Sequence, residues 1–147
     1  MAEGFSFEVS GLEELERGLR EVVKKAPVQA EETLLSIAKD FKKSAKKRAE
    51  TTLNKHKPKE GKEKYAIKKK WGHKLVDRNV GATAMVWNSA PHFHLIENGH
   101  NIVKNGRVMG FVPGRHIMEM TRNDFQEIVP ERFRQMIEDI LKESGLD

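Results

Sequence analysis

The chain contains no cysteine. That removes disulfide staples, thiolate metal sites and cysteine nucleophiles from consideration, and it is compatible with a reducing compartment. No stretch approaches the ~20 apolar residues that a membrane-spanning helix needs, so no membrane partner is expected. The opening residues MAEGFSFEVSG have neither a basic leader nor a long apolar run, so no signal peptide is read. Also lacking are a lysine-bearing phosphate loop and a dinucleotide glycine fingerprint. KNGRVMG has two glycines but does not open a helix, and reads instead as a hairpin. There is no internal repeat. A chain of 147 residues is one domain's worth, and 1–147 is read as a single domain.

What is abundant is lysine, and it is unevenly placed. From Lys39 to Lys74 there are 15 Lys and Arg against 4 Asp and Glu, an excess of +11. The rest of the chain holds 12 basic and 18 acidic residues, an excess of −6. This asymmetry points to a polyanion, to an acidic partner surface, or to opposite-sign contact between copies of the chain. The bland alternative is a solvated lysine-rich face.

Phe5, Phe7 and Val9 alternate with polar residues and read as a short strand. Ser10 and Glu13 have capping-box spacing before a first helix with Leu12, Leu15, Leu19 and Val22 or Val23 on one face. Pro27 suits the first turn of a second helix. That helix, from about Pro27 to Thr52, carries Ala30, Leu34, Ile37, Ala38, Phe41, Ala45, Ala49 and Thr52 at three- and four-residue steps. The segment 54–70 has little apolar content beyond Tyr65, Ala66 and Ile67, and is expected to be a mobile basic loop.

Two strands follow, Leu75–Val80 and Thr83–Asn88, with Met85 and Trp87 facing away from Val86. HFHLIEN is a short helix closed by Gly99 in a left-handed cap. Asn105-Gly106 is the dipeptide of a two-residue hairpin turn. A last helix bears Phe125, Ile128, Val129, Phe133, Ile137, Ile140 and Leu141 as a stripe, with a kink or restart expected at Pro130. The class is α+β: a small antiparallel sheet packed against a long helix in the N-terminal half and a long C-terminal helix.

Candidate chemistry is sparse. His92, His94, His100 and His116 follow no zinc-ligand spacing, and Glu97 is the one carboxylate between His92 and His116. Glu97 and His100 are spaced to meet on a helix, but a catalytic pair also needs a nucleophile or metal and a pocket. A local capping or ion-pair contact is the plainer reading. The lysines would neutralise phosphates without reading bases, and Tyr65 and Trp71 are too few for a stacking platform. No catalytic residue, metal site or cofactor is read.

Leu95-Ile96-Glu97-Asn98-Gly99-His100, then Asn105-Gly106-Arg107-Val108, then Arg115-His116-Ile117 resemble the motifs of a family of small tail-component proteins of long-tailed phages and prophages. The family usually has proline where Arg115 stands. The motifs cover about a fifth of the chain, and the order of elements agrees over nearly all of it. The resemblance implies a non-enzymatic virion protein that completes the tail or joins it to the head. It would be assembled in the cytoplasm of a bacterial host, in a homo-oligomeric ring. Its partners would be further copies of itself, neighbouring head-completion or connector and tail-terminator proteins, and non-specifically the DNA passing through. Candidate assembly residues are Glu97, Gly99, His100 and Arg107 in the helix–hairpin unit, and Lys68, Lys69 and Lys70 in the basic loop. A sequence-independent nucleic-acid-binding protein is the first alternative, and a His-dependent metal hydrolase the second.

Overall fold

Heptad-like recurrence of alanine and larger apolar residues gives the longest element. In the computed structural model, which describes residues 10–53, 66–78 and 81–146, α1 runs without a break over Leu12–Thr52, 41 residues. The expected division into two helices is not found: Pro27 lies inside α1. Its missing N–H leaves the carbonyl of Val23 without an intrahelical donor, but Val23 is 74% exposed and Pro27 is exposed, so water can take the donor's place. The expected Ser10–Glu13 capping box does not form either. The cap residue is Gly11, at φ 85°, and no side chain caps the helix. The strand expected at Phe5–Val9 lies outside the described residues, as do residues 54–65 of the expected loop.

The last five residues of that loop are placed, and they make specific contacts. Ile67–Lys69 form a 3₁₀ turn, Ala66 is buried, and Ile67 packs on the core. Asn88 Nδ2 donates to Ile67 O at 2.9 Å and Ser89 N donates to Lys70 O at 2.9 Å. Composition alone missed these ties because both donors are about twenty residues away.

The sheet is two separate hairpins. β1 (Trp71–Arg78) pairs antiparallel with β2 (Gly81–Asn88), and β3 (Gly99–Lys104) with β4 (Arg107–Pro113). β1 thus begins four residues before the expected strand. Along β2 the expected alternation holds: Met85 and Trp87 are exposed and Val86 is half-buried. Trp87 lies over Gly72 on the outer face, where a Cβ would stand 2.5 Å from the indole. Asn105 and Gly106 both have positive φ, 51° and 73°, as the two-residue turn requires. Between β2 and β3 stands α2 (Phe93–Asn98).

α3 (Ile117–Glu143) is likewise unbroken across Pro130, so no restart occurs. It lies antiparallel to α1. Arg48 pairs with Asp124 near one end, Arg132 with Asp40 (3.0 Å) and Ser36 (2.7 Å) midway, and Lys25 with Glu143 (3.4 Å) near the other. Phe41 and Phe125 meet edge to face at 5.2 Å between ring centroids. Ile37, Ala38, Ala45 and Ala49 of α1 are buried, and the small alanines let neighbouring elements approach closely. In the α3 stripe Phe125 and Ile140 are buried, whereas Ile128 and Ile137 are exposed. The core at the α1 C-terminal end joins Ala49, Ala90, Phe93 and Ile117, flanked by Leu53, Ile67, Trp71, Ile96 and Met118.

β1 pairs His73 with Val86 on the face toward α1, close to Lys42 and Lys39. Desolvation, then repulsion from Lys42 and Lys39, lowers the His73 pKa below 6.5. The folded state therefore binds this proton less readily than the unfolded chain. His73 lends its full contribution above about pH 6.5, and that contribution is lost as pH falls through the lowered folded value. An NMR titration of the His73 ring should show a midpoint below that of a free histidine. Replacing Lys42 and Lys39 by Gln, or adding salt, should raise it.

Candidate functional site

A helix begins with amides that have no intrahelical partner. At the start of α3 the cap residue is His116, in the left-handed region at φ 50°, ψ 41°, and its side chain does not cap. Instead Glu97 reaches across from α2. Its carboxylate accepts from Met118 N at 2.9 and 3.1 Å and from Glu119 N at 3.2 Å. A carboxylate there satisfies the orphan donors and faces the positive end of the helix dipole. The backbone repeats the tie: Arg115 N donates to Ile96 O at 2.7 Å and His116 N to Glu97 O at 3.2 Å.

Two glycines make this crossing close enough. A Cβ on Gly114 would lie 2.3 Å from Glu97 O, and one on Gly99 would lie 2.5 Å from Val112 O and 2.8 Å from Gly114 N. Gly99 has positive φ as expected, but at φ 82°, ψ 172° it is not a left-handed cap. It is extended in a region open essentially to glycine alone, because β3 begins on that residue. The first and third motif segments thus meet at one junction, where the chain leaves α2 and enters α3, and the second, Asn105–Val108, is the tip of the hairpin that runs out along β3 and returns along β4.

The expected contact between Glu97 and His100 is not made, since the carboxylate is committed to α3. His100 stands opposite Val112 in the β3–β4 ladder, and its buried Nδ1 has no hydrogen-bond partner. Arg107 pairs with Lys104 at the hairpin tip and is exposed. Lys68 and Lys69 are exposed and Lys70 half-buried, on the 3₁₀ turn that flanks the core shared with α2. The structure therefore unites Glu97, Gly99 and His100, puts Arg107 at the end of the arm, and sets the lysines on a separate element, the 3₁₀ turn.

Sequence reasoning missed Gly114 as the partner of Gly99, and the exposed face of the arm. One signal for the Glu97 tie was available: Gly114-Arg115-His116 supplies no Ser, Thr, Asp or Asn before α3, so its amides need a remote acceptor. On the arm, Val103 opposes Val108, Asn101 opposes Phe111, and Met109 is the extra residue at a register shift. Cross-strand partners share a face. Val103, Val108 and Phe111 are 60–63% exposed and form an uncovered apolar surface among the described residues.

Elsewhere a shallow polar groove of about 320 Å³ lies between α1 and α3, with Gln29, Ser36, Arg132 and Asp139 on its walls. Among the described residues no three His, Asp or Glu side chains are grouped to hold a metal ion. None of the described helices is long and apolar enough to cross a membrane. No protein-family model matches the chain, and no curated protein or solved structure is significantly similar to it.

Two outcomes follow for the junction. Glu97→Ala should lower the free energy of unfolding by about 1–2 kcal/mol, as the loss of a helix cap does, and Glu97→Gln by less, since one acceptor oxygen remains. Urea denaturation of the three proteins measures both. Gly99→Ala and Gly114→Ala should each cost about 2 kcal/mol or more, because the new methyl meets backbone rather than a side chain that can turn away. Thermal unfolding would show the loss as a lowered Tm.

Proposed function

We propose that this chain is a structural virion protein: a tail-completion or head–tail joining subunit that works in a homo-oligomeric ring. The observation that carries the reading is the junction just described. The segments that resemble the tail-component family are the ones that anchor a rigid, apolar arm. Glu97, Gly99 and Gly114 fix the arm's base, while Val103, Val108 and Phe111 face outward. Residues spent on holding a protruding hairpin suit a protein whose work is holding its neighbours.

The basic side supports a contact with DNA or with an acidic protein of the connector. Lys39, Lys43, Lys46, Lys47, Lys68 and Lys69 are all exposed. These exposed lysines also favour the second reading, sequence-independent nucleic-acid binding, which predicts affinity that falls steeply with salt.

Deletion of the gene from an inducible phage should leave filled heads and separate tails, and the wild-type chain supplied in trans should restore joined particles. Lys68, Lys69 and Lys70 changed together to Glu should fold normally and restore few. Electron microscopy of the lysates counts the joined particles. Normal joining without the protein would end the proposal. Salt-dependent binding to DNA of any sequence by the isolated chain, with joining unaffected, would favour the second reading.

A further inference from the structure

The apolar face of the arm has a counterpart on the same chain that it cannot reach. Leu12, Leu15, Leu19 and Val23 line one face of the first turns of α1 and are 46–74% exposed. α3 does not cover them. Gly18, about 100° around the helix from Leu19, takes the contact with the end of the chain, where a Cβ would stand 2.7 Å from Leu146. The stripe and the arm are at opposite ends of the molecule. The arm springs from the core around Ala49 and Ile117, and about 55 Å of helix separates Leu12 from Ala49. β4, with seven residues, spans roughly 23 Å. No folding back of the arm brings the two together.

Their charges are complementary. The only fully charged residues of Gly99–Pro113 are Lys104 and Arg107, at the tip. The first turn of α1 carries Glu13 and Glu14 with no basic residue, while further along Arg20 is paired with Glu16, and Arg17, Lys24 and Lys25 offset Glu21. Nearby, the last turns of α3 add exposed Glu138 and Asp139 against Lys142, with Glu143 taken up by Lys25.

From this we infer that the β3–β4 arm of one copy docks on the N-terminal stripe of α1 in the next. Val103, Val108 and Phe111 cover Leu12, Leu15 and Leu19, and the basic tip lies against Glu13 and Glu14 in the first turn. Two different patches meet, so the contact is heterologous: it repeats head to tail and closes into a ring when the rotation between copies allows. The inference deepens the proposed function and rests on its self-association, by naming the contact.

The absence of cysteine makes the test clean. Val108→Cys and Leu19→Cys, both at exposed positions, are made separately and treated at high protein concentration with a short bis-maleimide linker, alone and mixed. The mixture should give a covalent dimer, and neither variant alone should. The dimer should be lost when the Val108→Cys chain also carries Lys104→Glu and Arg107→Glu. A Val108→Cys chain that links mainly to itself would overturn the inference, since arms would then pair with arms. So would a mixture that does not link while the wild-type chain sediments as an oligomer; that result places the contact elsewhere and leaves the ring standing. A wild-type chain that stays monomeric at every concentration, with no linked product, would also overturn it, and joining in the phage would then judge the proposed function separately.

Discussion

The carboxylate of Glu97, laid against the amides of Met118 and Glu119, is the contact on which the arrangement of the other elements depends. It ties a six-residue helix to a 27-residue one. A helix as short as α2 is not stable by itself, and holds here because Phe93 and Ile96 are built into the core and Glu97 is anchored beyond it. The same bond places Ile117, which is fully buried, beside Ala49 and so sets where α3 starts along α1. From that point the direction of α3 follows, with Phe125 reaching Phe41 and Arg132 reaching Asp40 and Ser36. The ion pairs along the seam are partly exposed and individually weak, so they select register more than they supply stability.

What could be read in the sequence was what short-range periodicity encodes. The buried face of α1 at Ile37, Ala38, Ala45 and Ala49 followed from three- and four-residue steps, the two faces of β2 from alternation, and the turn of the arm from Asn105-Gly106. The prolines misled because their effect depends on exposure. At Pro27 and Pro130 the unpaired carbonyl belongs to an exposed residue, Val23 or Gln126, so the helix continues. The last five residues of the lysine-rich stretch, 66–70, are the opposite case. The stretch's composition argues against order, yet Ala66 and Ile67 suffice to pin its last turn once Asn88 and Ser89 supply hydrogen bonds. At the junction, residue types were visible but pairing was not. Glu97 and Met118 are 21 residues apart, and no local pattern links a glutamate in one helix to the bare amides of another.

The uneven charge of the sequence acquires a spatial meaning in the folded chain. Acidic residues of α3 neutralise part of α1, through Asp124 on Arg48 and Glu143 on Lys25. Lysines that point elsewhere remain uncompensated, and their field reaches His73 on the neighbouring strand. The first turn of α1 carries Glu13 and Glu14 alone, while the fully charged residues of the arm are Lys104 and Arg107.

The proposed head-to-tail contact gives a use to an apolar, cationic arm and an apolar stripe with an acidic first turn at opposite ends of a pair of helices. Each patch exposes surface that water disfavours, and the length of α1 prevents either from relieving the other. In a head-to-tail series both are relieved at once, at every joint except the two ends, and closure removes the ends as well. The rigidity of the junction matters for the same reason. In the ring we propose, a small angular error at each joint accumulates, so the arm has to leave the body at a fixed angle. Gly99 and Gly114, crossing with no room for a side chain between them, and Glu97, locking α3 at the same place, fix that angle through backbone contacts rather than through flexible side chains.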